Sequence, residues 1–162
     1  MESKFVLSSP AFKNGDPLPL IYSNGDKNLS PPLQWKGAPA DTKSYVLIND
    51  DPDAPTPTKN WNHWVVWNIP ADCAELKEGA GIKGSKLTGF SAPVSQGITD
   101  FGYAGYGGPA PPSGTHRYFF KLYALKSSLK LASGSGKVKV ETAMKELILA
   151  QAELMGTFTS KK

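Results

Sequence analysis

The sequence predicts a single, mainly β domain over residues 1–162 that ends in one α-helix. Its 16 glycines and 14 prolines favour turns and short strands over long helices. Three segments are strongly apolar, as central strands are, and only one segment has apolar residues at helical spacing. A chain of 162 residues can bury a core large enough to fold without a disulfide or a structural metal.

The first strands are expected within residues 5–39, where short apolar runs alternate with turn signals. The tripeptide NGD occurs at 14–16 and again at 24–26, and SPP follows at 30–32. Asparagine, aspartate, glycine and proline at such positions are typical of tight turns between short strands.

Three stronger strands are predicted at SYVLIND (44–50), HWVVWNIP (63–70) and HRYFFKLYAL (116–125). The apolar runs of the first two are nearly continuous, so we expect central strands that are covered on both faces. Residues 71–117 are mostly loop, which is long for a connection in a compact domain. Their aromatic and proline content indicates an ordered, packed loop.

Residues 140–158, VETAMKELILAQAELMGTF, carry the helical pattern. Apolar residues recur at i, i+3, i+4 and i+7, with Gln151 as the single break, and Gly156 is a natural stop signal. The sequence therefore predicts an α-helix that packs its apolar stripe against a sheet. The stripe consists of Val140, Ala143, Met144, Leu147, Ile148, Leu154 and Met155.

Composition narrows the classes of function. The single cysteine, Cys73, excludes a disulfide within the chain. No segment approaches the length of about 18 apolar residues that a membrane span requires, and the first residues lack a signal-peptide pattern, so we expect a cytoplasmic protein. Arg117 is the only arginine and no nucleic-acid-binding motif is present, so no nucleic acid partner is expected.

The net charge of +4 is unevenly distributed. Residues 101–140 contain six cations and no acid. Such a stretch favours an anionic ligand or a membrane surface, or else forms a lysine-rich face that keeps the domain in solution. The six cations are Arg117, Lys121, Lys126, Lys130, Lys137 and Lys139.

The two histidines, His63 and His116, have the same sequence context. Each begins an apolar strand, and each follows a loop rich in proline and glycine. If the two strands lie side by side, both imidazoles reach the same end of the sheet. The segments DPDAP (51–55) and YGGPAPPSG (106–114) would arrive there as well. The alternative is that both histidines are core groups with only structural hydrogen bonds.

A site of this kind would be rich in hydrogen-bond donors. Imidazoles can donate and take up charge near neutral pH. Glycines at 107, 108 and 114 allow close approach of the backbone, with N–H groups free to point inward. Tyr118 adds a hydroxyl, and one of Asp51 and Asp53 would orient a histidine. Such a site suits a phosphate, a sulfate or a carboxylate.

A metal-dependent hydrolase is the alternative function. His63 and His116 with Asp51 or Asp53 could form a two-histidine, one-carboxylate metal site that activates water. No H-E-x-x-H motif accompanies them, and the sequence has no G-x-S-x-G motif of a serine hydrolase.

Four segments resemble the phosphatidylethanolamine-binding protein family, which includes the Raf kinase inhibitor proteins. DPDAPTPTKNWNHW is similar to the first family signature and YGGPAPPSGTHRYFFKLYAL to the second. SPPLQW near the start and AELMGTF near the end look like the prokaryotic branch. The similarity extends over nearly the whole chain.

The resemblance implies a large central sheet, antiparallel or mixed, with a smaller sheet and a C-terminal helix. It also implies a small-anion pocket without a cofactor, in a binding protein for phosphoryl head groups rather than an enzyme. A kinase or protease would be the candidate protein target, and exposed edge strands would permit a homodimer. Arg117 would support the loops by pairing with an acid of DPDAP. The implied ligand-binding residues are Asp51, Asp53, His63, Gly107, Gly108, Pro109, Pro111, His116 and Tyr118.

Overall fold

A computed structural model describes residues 4–55, 60–132 and 134–160. In this part of the chain there are nine strands and one α-helix, α1 (Lys137–Met144), with a short 3₁₀ turn at Leu20–Tyr22. The strands are β1 (Val6–Ser8), β2 (Leu33–Lys36), β3 (Ser44–Asp51), β4 (Trp61–Pro70), β5 (Glu75–Leu76), β6 (Lys86–Leu87), β7 (Val94–Gln96), β8 (Thr115–Leu125) and β9 (Ile148–Thr159).

The strands form two antiparallel sheets. The smaller sheet has the order β1-β2-β5, and the larger has the order β6-β7-β4-β3-β8-β9. The predicted mainly β fold with a large and a smaller sheet is confirmed. The two histidine-bearing strands, β4 and β8, do not pair with each other, because β3 lies between them.

The large sheet has an apolar layer on each face. On one face, residues of β3, β4, β8 and β9 pack against Leu7, Leu33 and Trp35 of the small sheet. On the other face, Val46 and Val65 pack against Val140 and other residues of α1 and its flanks. Every residue of β3 is therefore buried, which explains its unbroken apolar run and confirms its central position.

The predicted helix over 140–158 is wrong in its second half. The helix α1 ends at Met144, and the chain then forms β9, which pairs with β8 from Leu125↔Ile148 to Thr115↔Thr159. Ala152, Leu154 and Gly156 are buried alternately along β9, as in a strand with one face in the core. Long-range pairing with β8 outweighs the local helical spacing.

Gly156, expected to end the helix, lies inside β9 opposite Tyr118. A Cβ there would lie 2.7 Å from the side chain of Leu18, so the glycine allows the segment before the 3₁₀ turn to pass close by. That segment is bound to β9 through the N–H of Leu18, which donates to the carbonyl of Thr157 at 2.8 Å.

The long loop of residues 71–114 is ordered, as expected, and contains only the short strands β5, β6 and β7. Gln96 stabilises it from within the core. Its amide accepts a hydrogen bond from Trp64 Nε1 and donates to the carbonyls of Ile82 and Gly84. In the described part of the chain, no helix has the length and apolar character needed to cross a membrane.

Candidate functional site

The candidate site is a cavity at the end of the large sheet where β3 finishes. Both neighbours of β3 run antiparallel to it, so the starts of β4 and β8 meet the end of β3. This places the two histidines on either side of Asp51. The cavity has a volume of about 310 Å³ and is lined by Asp51, Ala54, Pro55, Trp61, His63, Phe101, Ala110, Pro111, Pro112, His116 and Tyr118.

His116 is fixed by Asp51 across β3 and β8. Its Nδ1 donates to Asp51 Oδ2 at 2.6 Å, and the two residues are only 7% and 3% exposed. The other carboxylate oxygen, Oδ1, accepts the backbone N–H of Asp53 at 2.8 Å. Because Asp51 can only accept when ionised, the hydrogen of His116 lies on Nδ1 and the Nε2 atom is left for a ligand.

His63 is fixed by a backbone carbonyl. Its Nδ1 lies 2.6 Å from the oxygen of Gly107, which can only accept, so Nδ1 carries the hydrogen. Burial lowers the pKa of His63, against the opposing effects of this bond and of the Asp51, Asp50 and Asp100 carboxylates. The ring is therefore neutral at pH 7, with an unprotonated Nε2.

Tyr118 stands between the two imidazoles. Its ring lies edge-to-face with His63 at 5.2 Å and is stacked with His116 at 6.4 Å. Burial together with the charge of Asp51 raises the pKa of Tyr118 far above its usual range. The tyrosine therefore remains neutral, and its hydroxyl can donate or accept a hydrogen bond.

Asp53 does not line the cavity. It accepts three hydrogen bonds from Arg117, from the backbone N–H, Nε and Nη2, each at 2.9 Å. The bonds to Arg117 hold the pKa of the Asp53 carboxyl below its usual range. The expected pairing of Arg117 with an acid of DPDAP is confirmed, and Asp53 serves to attach this segment to β8.

The glycines were expected to supply free N–H donors, and for two of them this is wrong. The N–H of Gly107 donates to the carbonyl of His63 at 2.9 Å, and that of Gly108 donates to Asn28 Oδ1 at 2.7 Å. A Cβ would lie 2.3 Å from the Phe101 ring at Gly107 and 2.0 Å from the Tyr22 carbonyl at Gly108. Both glycines permit close packing behind the cavity wall.

The predicted residues thus fall into two groups. Asp51, His63, Pro111, His116 and Tyr118 line the cavity. Asp53, Gly107, Gly108 and Pro109 lie outside the lining and support it, the last by accepting the N–H of Asn24 at 2.9 Å.

Sequence reasoning missed the apolar part of the lining. Trp61 comes two residues before His63, and Phe101 lies in the long loop and packs edge-to-face on both residues, at 5.5 and 5.3 Å. Strand alternation starting from His63 could have found Trp61, as it finds Tyr118 from His116. No local signal marks Phe101, because its position depends on the path of the loop.

The cation-rich stretch 101–140 contributes no side-chain cation to the described lining. Lys121 and Lys137 instead contact Asp50 on the opposite face of β3, with N···O distances of 3.3 and 3.6 Å. The described part of the lining therefore has one carboxylate, two imidazoles and the hydroxyl of Tyr118 among apolar side chains.

Comparison with known proteins agrees with this architecture. Residues 8–159 match the family model for phosphatidylethanolamine-binding protein. A UPF0098 protein of Methanothermobacter thermautotrophicus is 45% identical over 94% of this chain and 97% of its own length. A UPF0098 protein of Aquifex aeolicus is 46% identical over 93% of this chain and 85% of its own.

Solved structures agree as well. The crystal structure of E. coli YbcL, described as a member of the mammalian PEBP family, has 37% identity and a TM-score of 0.89, over 98% of this chain and 99% of that one. A PEBP homologue from Chlamydia trachomatis has 36% identity and a TM-score of 0.86, over 99% and 100% of the two chains. This chain therefore belongs to the phosphatidylethanolamine-binding protein family.

Proposed function

We propose that the chain is a binding protein for a small anionic group, a phosphoryl head group above all, which sits between His63 and His116. One observation carries the proposal. Two buried imidazoles have their Nδ1 atoms fixed by hydrogen bonds of 2.6 Å at the edge of one cavity, and neither Nε2 has a partner among the described residues. Such preorganisation reduces the cost of ordering a polar site when a ligand binds.

The size and walls of the cavity favour a head group over a larger ligand. A volume of about 310 Å³ is at the small end of ligand sites. The proline, alanine and aromatic side chains that surround the two imidazoles exclude water, which strengthens each charged hydrogen bond inside. Any acyl chain or peptide attached to the bound group would lie outside.

The lining supports binding rather than catalysis. Among the residues that the structure describes, the lining contains no serine, threonine, cysteine or lysine that could act as a nucleophile. The metal-dependent hydrolase has little support from the side-chain arrangement. Both oxygens of Asp51 already accept hydrogen bonds, Asp53 is bound to Arg117, and no three His, Cys, Asp or Glu residues in the described ranges are arranged as metal ligands.

Regulation of a kinase or a protease and formation of a homodimer remain predictions. For the first, the cavity offers a direct route, because a phosphorylated side chain of a partner carries the same group as a phosphorylated small molecule. Inhibition that requires the cavity would be lost in a His116→Ala variant, whereas inhibition through the outer surface would persist.

The proposal is tested by titration calorimetry with inorganic phosphate, acetate and phosphoethanolamine at pH 6 and pH 8. Ala110 lines the cavity and is itself exposed, so Ala110→Glu and Ala110→Gln form a matched pair of variants. The added charge should oppose an anion by on the order of 1 kcal/mol, about fivefold in affinity, while the amide controls for size.

We expect saturable binding to the unaltered chain, weaker binding to Ala110→Glu than to Ala110→Gln, and tighter binding at pH 6. The pH effect follows because an imidazolium at His116 can donate to an anion. Lack of saturation by all three anions at both pH values would refute the proposal. An equal effect of the two Ala110 variants would show that the bound group is not anionic.

A further inference from the structure

We infer that the cavity selects a phosphomonoester group that carries its own acidic O–H, with His63 accepting from that O–H and His116 donating to an anionic oxygen. This inference rests on the proposed function and names the chemical class of its ligand. It follows from an inventory of which donors and acceptors around the cavity are already used.

Three backbone donors beside the cavity are used internally. The N–H groups of Gly107 and Gly108 donate to His63 and Asn28, and that of Asp53 donates to Asp51. The hydroxyl of Tyr118 also lines the cavity, and it stays protonated because burial and the charge of Asp51 raise its pKa. Trp61 Nε1 has no partner among the described residues, but the atom is buried and out of contact with solvent.

The two imidazoles have Nε2 atoms without a partner among the described residues, and they are not equivalent. His63 is hydrogen-bonded to a neutral carbonyl, and the carboxylates that act on it from β3 and the loop, Asp50, Asp51 and Asp100, do not overcome its burial. Its other ring neighbours, Tyr118 and Phe101, are uncharged. Its Nε2 is an acceptor.

His116 has a carboxylate as its partner. When it takes up a proton, the imidazolium forms an ion pair with Asp51 at 2.6 Å, and its Nε2–H becomes a donor. The groups that face it are Asp51 from β3, Asp53 from the following loop and the neutral Tyr118 from its own strand. An acceptor thus lies on one side of Tyr118 and a donor on the other.

A singly protonated phosphomonoester satisfies both nitrogens, because it has one P–O–H and two anionic oxygens. A sulfate ester and a phosphodiester have the anionic oxygens but no O–H, so they leave His63 Nε2 facing an oxygen lone pair. A carboxylate has the same defect. The diester head group of phosphatidylethanolamine would therefore be a poor ligand, and a phosphomonoester a good one.

Proton uptake follows from the same assignment. A phosphomonoester has a second pKa of about 6, so it is mainly dianionic at pH 7.5. Binding then requires one proton for the ligand, taken up from the buffer. A sulfate ester requires no such proton.

The test compares methyl phosphate with methyl sulfate, which has nearly the same shape, and with dimethyl phosphate. Calorimetry at pH 6.0 and 7.5, in two buffers of different ionisation enthalpy, gives both the affinity and the number of protons bound. We expect methyl phosphate to bind at least tenfold more tightly than either of the others at pH 6.0, and to take up more protons than methyl sulfate at pH 7.5.

A His63→Asn variant tests the assigned residue. The asparagine amide can occupy the place of Nδ1–H and donate to the Gly107 carbonyl, while the acceptor at Nε2 is removed. We expect the preference for methyl phosphate over methyl sulfate to fall to about one, with methyl sulfate still bound. Far- and near-ultraviolet circular dichroism checks that the variant is folded, and the comparison on the unaltered chain stands without it.

The outcomes separate the inference from the proposed function. Equal affinity of methyl sulfate and methyl phosphate for the unaltered chain would overturn the inference and leave anion binding intact. If the folded His63→Asn variant still prefers methyl phosphate over methyl sulfate, a group other than His63 accepts the hydrogen bond from the O–H, and the role assigned to His63 is wrong. Failure of all three compounds to bind would overturn the proposed function itself.

Discussion

Asp51 and Asp53 are two residues apart in the same motif, and their surroundings differ sharply. Asp51 is 3% exposed and binds two separate groups, the ring of His116 and the backbone N–H of Asp53. The Asp53 side chain is 29% exposed and takes all three of its hydrogen bonds from Arg117, whose side chain is 52% exposed.

The difference shows how one short segment performs two tasks. His116 and Arg117 are consecutive on β8, so their side chains point to opposite sides of the strand. Asp51 meets the first inside the cavity, and Asp53 meets the second outside it. The inner pair fixes the ring that faces a ligand, and the outer pair attaches the loop. Because the inner pair is buried and the outer pair is exposed, we expect the inner pair to contribute more to the free energy of unfolding.

The largest expected effect is on the inner pair. Asp51→Ala leaves the buried Nδ1–H of His116 and the backbone N–H of Asp53 without their acceptor, which should lower the free energy of unfolding by about 3 kcal/mol. Asp53→Ala should have a several-fold smaller effect, because exposed ion pairs contribute little. Equilibrium unfolding in urea at pH 7 measures both.

The isosteric variant Asp51→Asn separates charge from packing. It keeps one acceptor oxygen for His116, so it should be less destabilised than Asp51→Ala while still weakening anion binding. Equal destabilisation by Asp51→Ala and Asp53→Ala would contradict the distinction between an inner and an outer pair.

An effect of intermediate size is expected on the pH dependence of the free energy of unfolding, through His63. Burial lowers the pKa of His63 below its unfolded value of about 6.5, so the unfolded chain binds the extra proton between the two values. The contribution of neutral His63 is complete above pH 6.5 and decreases as the pH falls below it, by at most about 1.4 kcal/mol per pH unit.

Urea unfolding of the unaltered chain and of His63→Asn from pH 7.5 to 5.0 checks this expectation. The slope between pH 6.5 and 5.0 should be shallower in the variant, because asparagine does not titrate. Parallel pH profiles for the two proteins would assign the slope to another group.

Much of this arrangement could be predicted from sequence because it depends on local patterns. Three strongly apolar segments correspond to β3, β4 and β8, and DPDAP together with the two histidines indicated where a site would form. What could not be predicted depends on long-range pairing. Residues 148–159 form a strand because β8 lies beside them, although their spacing also suits a helix.

The hydrogen-bond donors near the cavity are a second feature that depends on long-range contacts and could not be predicted from the sequence. A glycine-rich segment suggested free N–H groups, but their partners are distant in sequence. Gly108 donates to Asn28, 80 positions away, and Gly107 both donates to the His63 backbone and accepts from its ring. No local feature of residues 106–114 identifies these partners, and they remove two of the expected donors from the cavity.

The smallest expected effect concerns the outer pair, Asp53 and Arg117, which should respond to pH and to salt. The bonds to Arg117 lower the pKa of Asp53, so the stabilisation by this carboxylate is complete above the unfolded value of about 3.9 and is lost as the pH falls further. A double-mutant cycle of Asp53→Asn and Arg117→Gln should therefore give a small coupling at pH 7 and none near pH 2. The coupling should also shrink in 1 M NaCl, where the Debye length is about 3 Å. A coupling energy that changes with neither pH nor salt would mean that Asp53 and Arg117 are held as rigidly as Asp51 and His116. Exposure would then not distinguish the two aspartates.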